Sequence, residues 1–144
     1  MALTITSSNS VFTLAVPGVI PVPQLLQAYA VDDAFDSPEV KPAEAQIGVD
    51  GVLSAGYTPY IVPLDVHFSP GSSSIQVFET WLGAMDSANE VFFAQASIVA
   101  PSLGKAWTFS NGVLTRARKL PDAKKVFAAQ AFGMDWESVE VSYL

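Results

Sequence analysis

Carboxylates crowd one stretch of the chain, residues 32–51, which reads DDAFDSPEVKPAEAQIGVDG. Six acids fall within these twenty residues, and only Lys41 opposes them. Oxygen ligands at this density suit three tasks: binding a calcium ion, acting as paired catalytic acids, or keeping a surface negative. The spacing of the acids and the residues around them discriminate between these tasks.

The spacing does not favour a calcium loop. An EF-hand needs the pattern D-x-[DN]-x-[DN]-G with a later glutamate, whereas Asp32, Asp33 and Asp36 are spaced differently. Two acids facing each other across a cleft would suit glycoside hydrolysis, but the aromatic residues fall mostly at core-facing positions. A solvated acidic surface is therefore the favoured interpretation, and a monomeric calcium- or carbohydrate-binding β-sandwich stays open as an alternative.

Other catalytic chemistry is restricted by the residue types present. The chain has no cysteine and one histidine, which excludes thiolate nucleophiles, cysteine-ligated metals and histidine-rich metal sites. It also lacks G-x-S-x-G, H-E-x-x-H, P-loop and G-x-G-x-x-G motifs. We expect no enzyme, no metal site and no cofactor, with His67 a half-buried or interface residue of a strand.

Charge is distributed unevenly along the chain. The net charge is −7, with −9 in residues 1–103 and +2 in residues 104–144. This acidity argues against a protein that grips nucleic acid, because phosphate contacts need Lys and Arg. The basic residues near the end predict a patch that pairs with the acidic part of another copy. They are Arg116, Arg118, Lys119, Lys124 and Lys125.

Composition predicts a folded, self-associating chain. Half of the 144 residues are apolar and 15% are charged, which suits one domain spanning residues 1–144 with surfaces covered by other copies. The N-terminal MALTITSSNSVFTLAV lacks the basic flank and continuous apolar run of a signal peptide. No apolar stretch reaches the roughly 18 residues of a membrane span. We expect a protein made in the cytoplasm that does not insert into membranes.

Apolar periodicity predicts mainly β structure with one helix. Residues 73–90 carry apolar side chains at helical spacing, and residues 60–68 alternate with Leu64 and Val66 on one face and Asp65 and His67 on the other. Residues 28–36 read as a strand, PGVIPVP as a loop or irregular edge, and Asn111-Gly112 as a tight turn. The predicted fold is an antiparallel β-sandwich or barrel with one flanking helix and a long extended loop, about residues 37–56, which forms either an excursion or the extended end of a hairpin.

Several strings resemble the tail tube proteins of contractile-tailed bacteriophages. They are KPAEAQIGVDG, SPGSSS, VFETWLGAMDSANEVF, PSLGKAWTFSNGVLTRARKLPDAKKVF and MDWESV, in this order over roughly residues 28–140. The resemblance implies a subunit of hexameric rings that stack into a hollow tube, with the sheath outside, and the baseplate and tail terminator at its ends. It implies a place in the virion tail, assembly in the bacterial host, and double-stranded DNA passing through the bore without specific binding. A related contractile injection or secretion system with protein cargo is the alternative.

The resemblance also suggests roles for the acidic stretch. Asp32, Asp36 and Asp65 are expected to line the bore, where carboxylates repel DNA phosphates. The loop is expected to reach the next ring and to be mobile in the free subunit. Its expected docking residues are Glu39, Val40, Lys41, Glu44, Ile47, Val49 and Asp50.

Overall fold

The computed structural model describes residues 10–26, 35–120, 123 and 129–144. Within these ranges the chain forms nine strands, one α-helix and a short 3-10 helix at Pro101–Leu103. The bounds are β1 Val11–Val16, β2 Ile20–Leu26, β3 Phe35–Asp36, β4 Ala43–Ile47, β5 Leu53–Tyr57, β6 Val62–Phe68, α1 Ile75–Ala88, β7 Ala94–Ala100, β8 Lys105–Ala117 and β9 Gln130–Tyr143.

Seven of these strands form one antiparallel sheet in the order β2-β1-β7-β8-β9-β6-β3. The sheet curls into a half-barrel, and α1 packs against its apolar face. The other two strands, β4 and β5, pair only with each other among the described strands. The predicted class, a mainly β antiparallel fold with one flanking helix, is confirmed.

The core forms between α1 and the apolar face of the sheet. Ile75, Phe78 and Trp81 are buried, and the Phe78 ring stacks on Phe132 of β9 at 4.8 Å between centroids. The indole nitrogen of Trp81 donates a hydrogen bond to the Phe92 carbonyl at 3.0 Å, so this buried polar atom is satisfied. Asn89, in the left-handed conformation with φ 53°, ends the helix. The prediction of a helix at 73–90 is confirmed.

Strand β6 shows the predicted alternation. Leu64 and Val66 are buried in the core, while Asp65 and His67 lie on the opposite face and are partly exposed. The period of two therefore places the titratable side chains of this strand on one surface. Of the predicted strand at residues 28–36, only Phe35 and Asp36 are described, as β3; residues 28–34, including Asp32, lie outside the described residues.

The proline-rich PGVIPVP segment forms a turn followed by an edge strand. Val19 N donates to Val16 O at 3.0 Å, and Gly18 has φ 93°, as a type II turn with Pro17 at its second position requires. Strand β2 then occupies one end of the sheet, where prolines without an N–H are tolerated. The irregular-edge interpretation was right about the edge, although the strand itself is regular enough to pair with β1.

The prediction of a tight turn at Asn111-Gly112 is wrong. Both residues lie inside β8, and the pairing of β8 with β7 shifts register at this point, so the signal marks a bulge. Asn111 has φ 52°, and a Cβ at Gly112 would overlap the Trp136 ring. Positive φ and close approach of a ring are requirements that a bulge shares with a turn, which is why the sequence signal misled.

The predicted extended loop contains a regular hairpin. Residues 43–57, here called the hairpin arm, pair from Ala43 opposite Tyr57 to Ile47 opposite Leu53. The turn is held by Gly48 N bonding Val52 O at 3.1 Å and by Val52 N donating to the Asp50 carboxylate at 3.1 Å. Periodicity failed to indicate these strands because both of their faces are exposed, so neither face needs to be apolar.

Candidate assembly surfaces

One charged cluster lies on the sheet face opposite the core. Asp36 of β3 pairs with Asp65 of β6, Asp65 lies opposite Gly133 of β9, and Gly133 lies opposite Arg116 of β8. Asp135, two residues along β9, points to the same face. Asp36, Asp65, Asp135 and Arg116 are called the charged cluster below.

Arg116 connects three strands within this cluster. Its Nη2 lies 3.1 Å from Asp65 Oδ1 and its Nη1 lies 3.3 Å from Asp135 Oδ1. The side chain crosses β9 above Gly133, where a Cβ would overlap both the guanidinium and the Asp65 carboxylate. Gly133 therefore provides the space through which β8 and β6 are ion-paired across the strand between them.

The net charge of the charged cluster remains negative after this pairing. Burial opposes the charge on Arg116, but hydrogen bonds and attraction from Asp65 and Asp135 outweigh it and raise the pKa of the guanidinium. Three carboxylates face one cation, and Asp36 is exposed without an ion-pair partner among the described residues. The structure thus places Asp36 opposite Asp65 and adds Arg116 and Asp135, which the sequence analysis did not associate with them. That these acids line a bore stays a prediction.

The charged cluster does not form a metal-binding site among the described residues. Within the described ranges, no group of three or more His, Cys, Asp or Glu side chains is placed to hold a metal ion. His67 is partly buried beside Asp65, Arg116 and Arg118 at an open cleft of about 530 Å³. In the described part of the chain, no helix has the length and apolar character needed to cross a membrane.

The hairpin arm is a second candidate surface. Every residue of β4 and β5 is exposed, and Val49 at the tip is fully exposed. Its base is anchored by Thr58, whose N–H and hydroxyl donate to the carbonyls of Pro42 and Lys41 at 3.0 and 3.1 Å. Of the expected docking residues, Val40 is partly buried near the base, and the others are exposed. They are Glu39, Lys41, Glu44, Ile47, Val49 and Asp50.

The predicted basic patch engages acids of its own chain where it is described. Arg116 pairs within the charged cluster, and Lys119 Nζ lies 3.3 Å from Asp86 Oδ2 on α1. The Arg118 backbone is tied to β9, because its carbonyl accepts a bond from Gln130 Nε2 at 2.6 Å. Lys124 and Lys125 lie outside the described residues. A role of this patch between subunits stays a prediction.

An apolar groove, about 310 Å³ in volume, opens at one end of the half-barrel. Sequence reasoning missed it, because its walls come from separate strands that only the fold brings together. Its principal lining residues are Phe35, Val62, Ile98, Trp107, Val139 and Val141.

Comparison with solved structures defines the class of fold. The chain is similar to a chain of the sheath–tube complex of an extracellular contractile injection system, PVC, in the extended state, with TM-score 0.62, 13% identity, and 99% of this chain and 93% of that chain covered. It is also similar to a chain of the anti-feeding prophage baseplate, 6-fold symmetrised, with TM-score 0.57, 14% identity and coverage of 99% and 98%. A chain of the tube-terminating cap of the anti-feeding prophage matches with TM-score 0.55, 12% identity and coverage of 100% and 93%.

The sequence itself places the chain in a family. Residues 3–140 match the family described as tail fiber protein gp32, and the chain belongs to that family. No curated protein matches the sequence significantly. The family match thus identifies a tail protein, and the fold is shared with chains of contractile injection assemblies.

Proposed function

We propose that this chain is the structural subunit of a hollow tail tube, in which copies form rings and the rings stack. The observation that carries the proposal is the exposed hairpin arm with its apolar tip. Ile47, Val49, Val52 and Leu53 are exposed together on an element that contributes no residue to the core. A contiguous group of apolar side chains exposed to solvent is typical of a protein interaction site.

The open sheet supports the same assembly. Among the described strands, β2 and β3 each have one neighbour, which leaves two edges on a curved sheet. Exposed edges are a liability for a monomer, and a ring in which neighbouring sheets continue one another removes them. The shared fold with chains of a 6-fold symmetrised baseplate, a sheath–tube complex and a tube cap supports six subunits per ring, with sheath, baseplate and terminator proteins as partners.

The charged cluster suits the bore of such a tube. Asp36 and Asp65, together with Asp32, would present carboxylates to the bore, and a negative wall repels DNA phosphates so that the duplex passes without being held. The work of the subunit is then structural, in the tail of a virion assembled in the bacterial cytoplasm. A tube for protein cargo is the second candidate, because one of the similar folds comes from the sheath–tube complex of an extracellular contractile injection system.

Negative-stain electron microscopy of the purified protein tests the proposal. We expect rings or tubes with a central hole at high protein concentration. A protein that stays monomeric, or that forms solid fibres without a lumen, overturns it. Isolation of the chain from particles whose tubes carry DNA, or instead carry protein, distinguishes the two candidates.

A further inference from the structure

The groove at the end of the half-barrel has a defined chemistry. Ile98, Trp107 and Val141 lie opposite one another across β7, β8 and β9, and they form one row of its wall. The next row outward contains Lys105 opposite Tyr143, with the Lys105 ammonium 5.8 Å from the centre of the Tyr143 ring. No carboxylate of the described residues pairs with Lys105. The groove is therefore apolar, and the row of residues next to it carries a cation without a carboxylate partner among the described residues.

The hairpin tip, residues 47–53, has the complementary chemistry. Ile47, Val49 and Val52 are exposed apolar side chains, and Asp50 lies among them at the turn. The Asp50 carboxylate accepts a bond from Val52 N and has no ion-pair partner in the described part of the chain. An apolar tip with one anion therefore complements an apolar groove with one cation in the next row, both in polarity and in charge.

The tip does not occupy the groove of its own chain. The segments that lead into and out of the arm pass the groove, since Ser37 and Val62 line it and Ser37 Oγ donates to Pro63 O at 2.7 Å. From Ala43 and Tyr57 the paired strands β4 and β5 extend about 17 Å toward the tip, at roughly 3.3 Å per residue. No residue from 43–57 contributes to the groove wall.

We propose that the hairpin tip of one copy inserts into the groove of a second copy, with Asp50 approaching Lys105. Tip and groove are different patches on each subunit, so the contact is heterologous and repeats from copy to copy. Such a contact propagates along a tube axis or around a ring. This inference rests on the proposed tube, and it names the groove as the surface to which the hairpin arm of another subunit binds.

Cross-linking between two single-cysteine proteins tests the contact directly, because the chain has no cysteine of its own. Protein with Val49→Cys is mixed with protein carrying Val141→Cys and treated with a short bismaleimide. We expect a cross-linked dimer from this mixture. The matched control replaces Val141→Cys by Val22→Cys, an exposed valine on the far edge strand, and we expect little dimer.

Charge reversal tests the ionic part. Asp50→Lys and Lys105→Glu should each weaken assembly about tenfold at low salt, and the double variant should recover most of it. Asp50→Asn retains an oxygen for the turn, so it separates loss of charge from loss of the hairpin turn. Glu44→Lys combined with Lys105→Glu is the control, and it should not restore assembly.

The outcomes separate this inference from the tube itself. If tubes form normally but no Val49–Val141 cross-link appears, the docking proposal is wrong and the proposed tube stands. This result is expected if another segment of the same chain fills the groove. Equal cross-linking to Val22 also overturns it. If the unmodified protein forms no rings or tubes, the proposed function fails, whereas a specific cross-link would still support the docking.

Discussion

At the scale of single residues, Arg116 is the side chain on which the charged cluster depends. It pairs with two of the three carboxylates and ties β8 to β6 above Gly133. Its side chain is about half exposed, so water and salt weaken both pairs. Arg116 therefore contributes modestly to the free energy of unfolding, but it strongly affects the net charge of this sheet face.

Replacing Arg116→Ala is expected to lower the free energy of unfolding by about 1 kcal/mol at low salt, with a smaller loss at high salt. The loss arises because Asp65 and Asp135 then repel each other without an intervening cation. Urea denaturation at two salt concentrations measures it. Lys41→Ala is the control, since the Lys41–Glu44 pair at 3.6 Å is largely exposed and should change stability by less than about 0.5 kcal/mol. Equal effects of the two substitutions would contradict a special role for Arg116.

At the scale of secondary-structure elements, the hairpin arm differs from the rest of the sheet. Strands β6 and β9 bury alternate side chains in the core, whereas β4 and β5 bury none. A two-stranded hairpin without a packed face is marginally stable in water. The turn hydrogen bonds at Gly48, Asp50 and Gly51 define its shape but do not supply that missing packing.

Amide hydrogen exchange should therefore be fast in residues 43–57 of the free subunit and slow in β8 and β9. Assembly should protect the arm, because its backbone and apolar tip become covered. Exchange mass spectrometry on unassembled and assembled protein compares the two states. Strong protection of the arm in a monomer would rule out a mobile arm.

At the scale of the whole molecule, the assembled tube makes the location of Asp36 testable. If Asp36 lines the bore, tubes with Asp36→Lys should retain short duplex DNA at low salt and release it as salt rises, because new phosphate contacts release counterions. Unmodified tubes should retain little. Co-sedimentation of tubes with labelled duplex measures the difference.

The matched control is Glu79→Lys, which makes the same charge change on the exposed face of α1. DNA retention by this variant equal to that of Asp36→Lys would show that Asp36 has no special position. The comparison therefore tests where the charge lies as well as its sign.

Features that depend on residues close together in the sequence could be predicted, whereas features that depend on distant residues could not. The helix at Ile75–Ala88 and the alternation of β6 were predictable, because each depends on apolar residues a few positions apart. The Asn111-Gly112 bulge was not predictable, because a positive φ is compatible with either a turn or a bulge. Pairing with the neighbouring strands determines which of the two forms. A hairpin was one of two interpretations of residues 37–56, but periodicity could not place its strands, because an element exposed on both faces carries no apolar period.

The sequence by itself determined the class of fold, the helix, the acidic character and the family resemblance. These follow from composition, local periodicity and short strings. Only the tertiary structure decided that Arg116 meets Asp65, 51 positions away, and that Ile98, Trp107 and Val141 form one groove wall. The physical reason is that strand order and register set these contacts, and a one-residue shift in register would place each side chain on the other face.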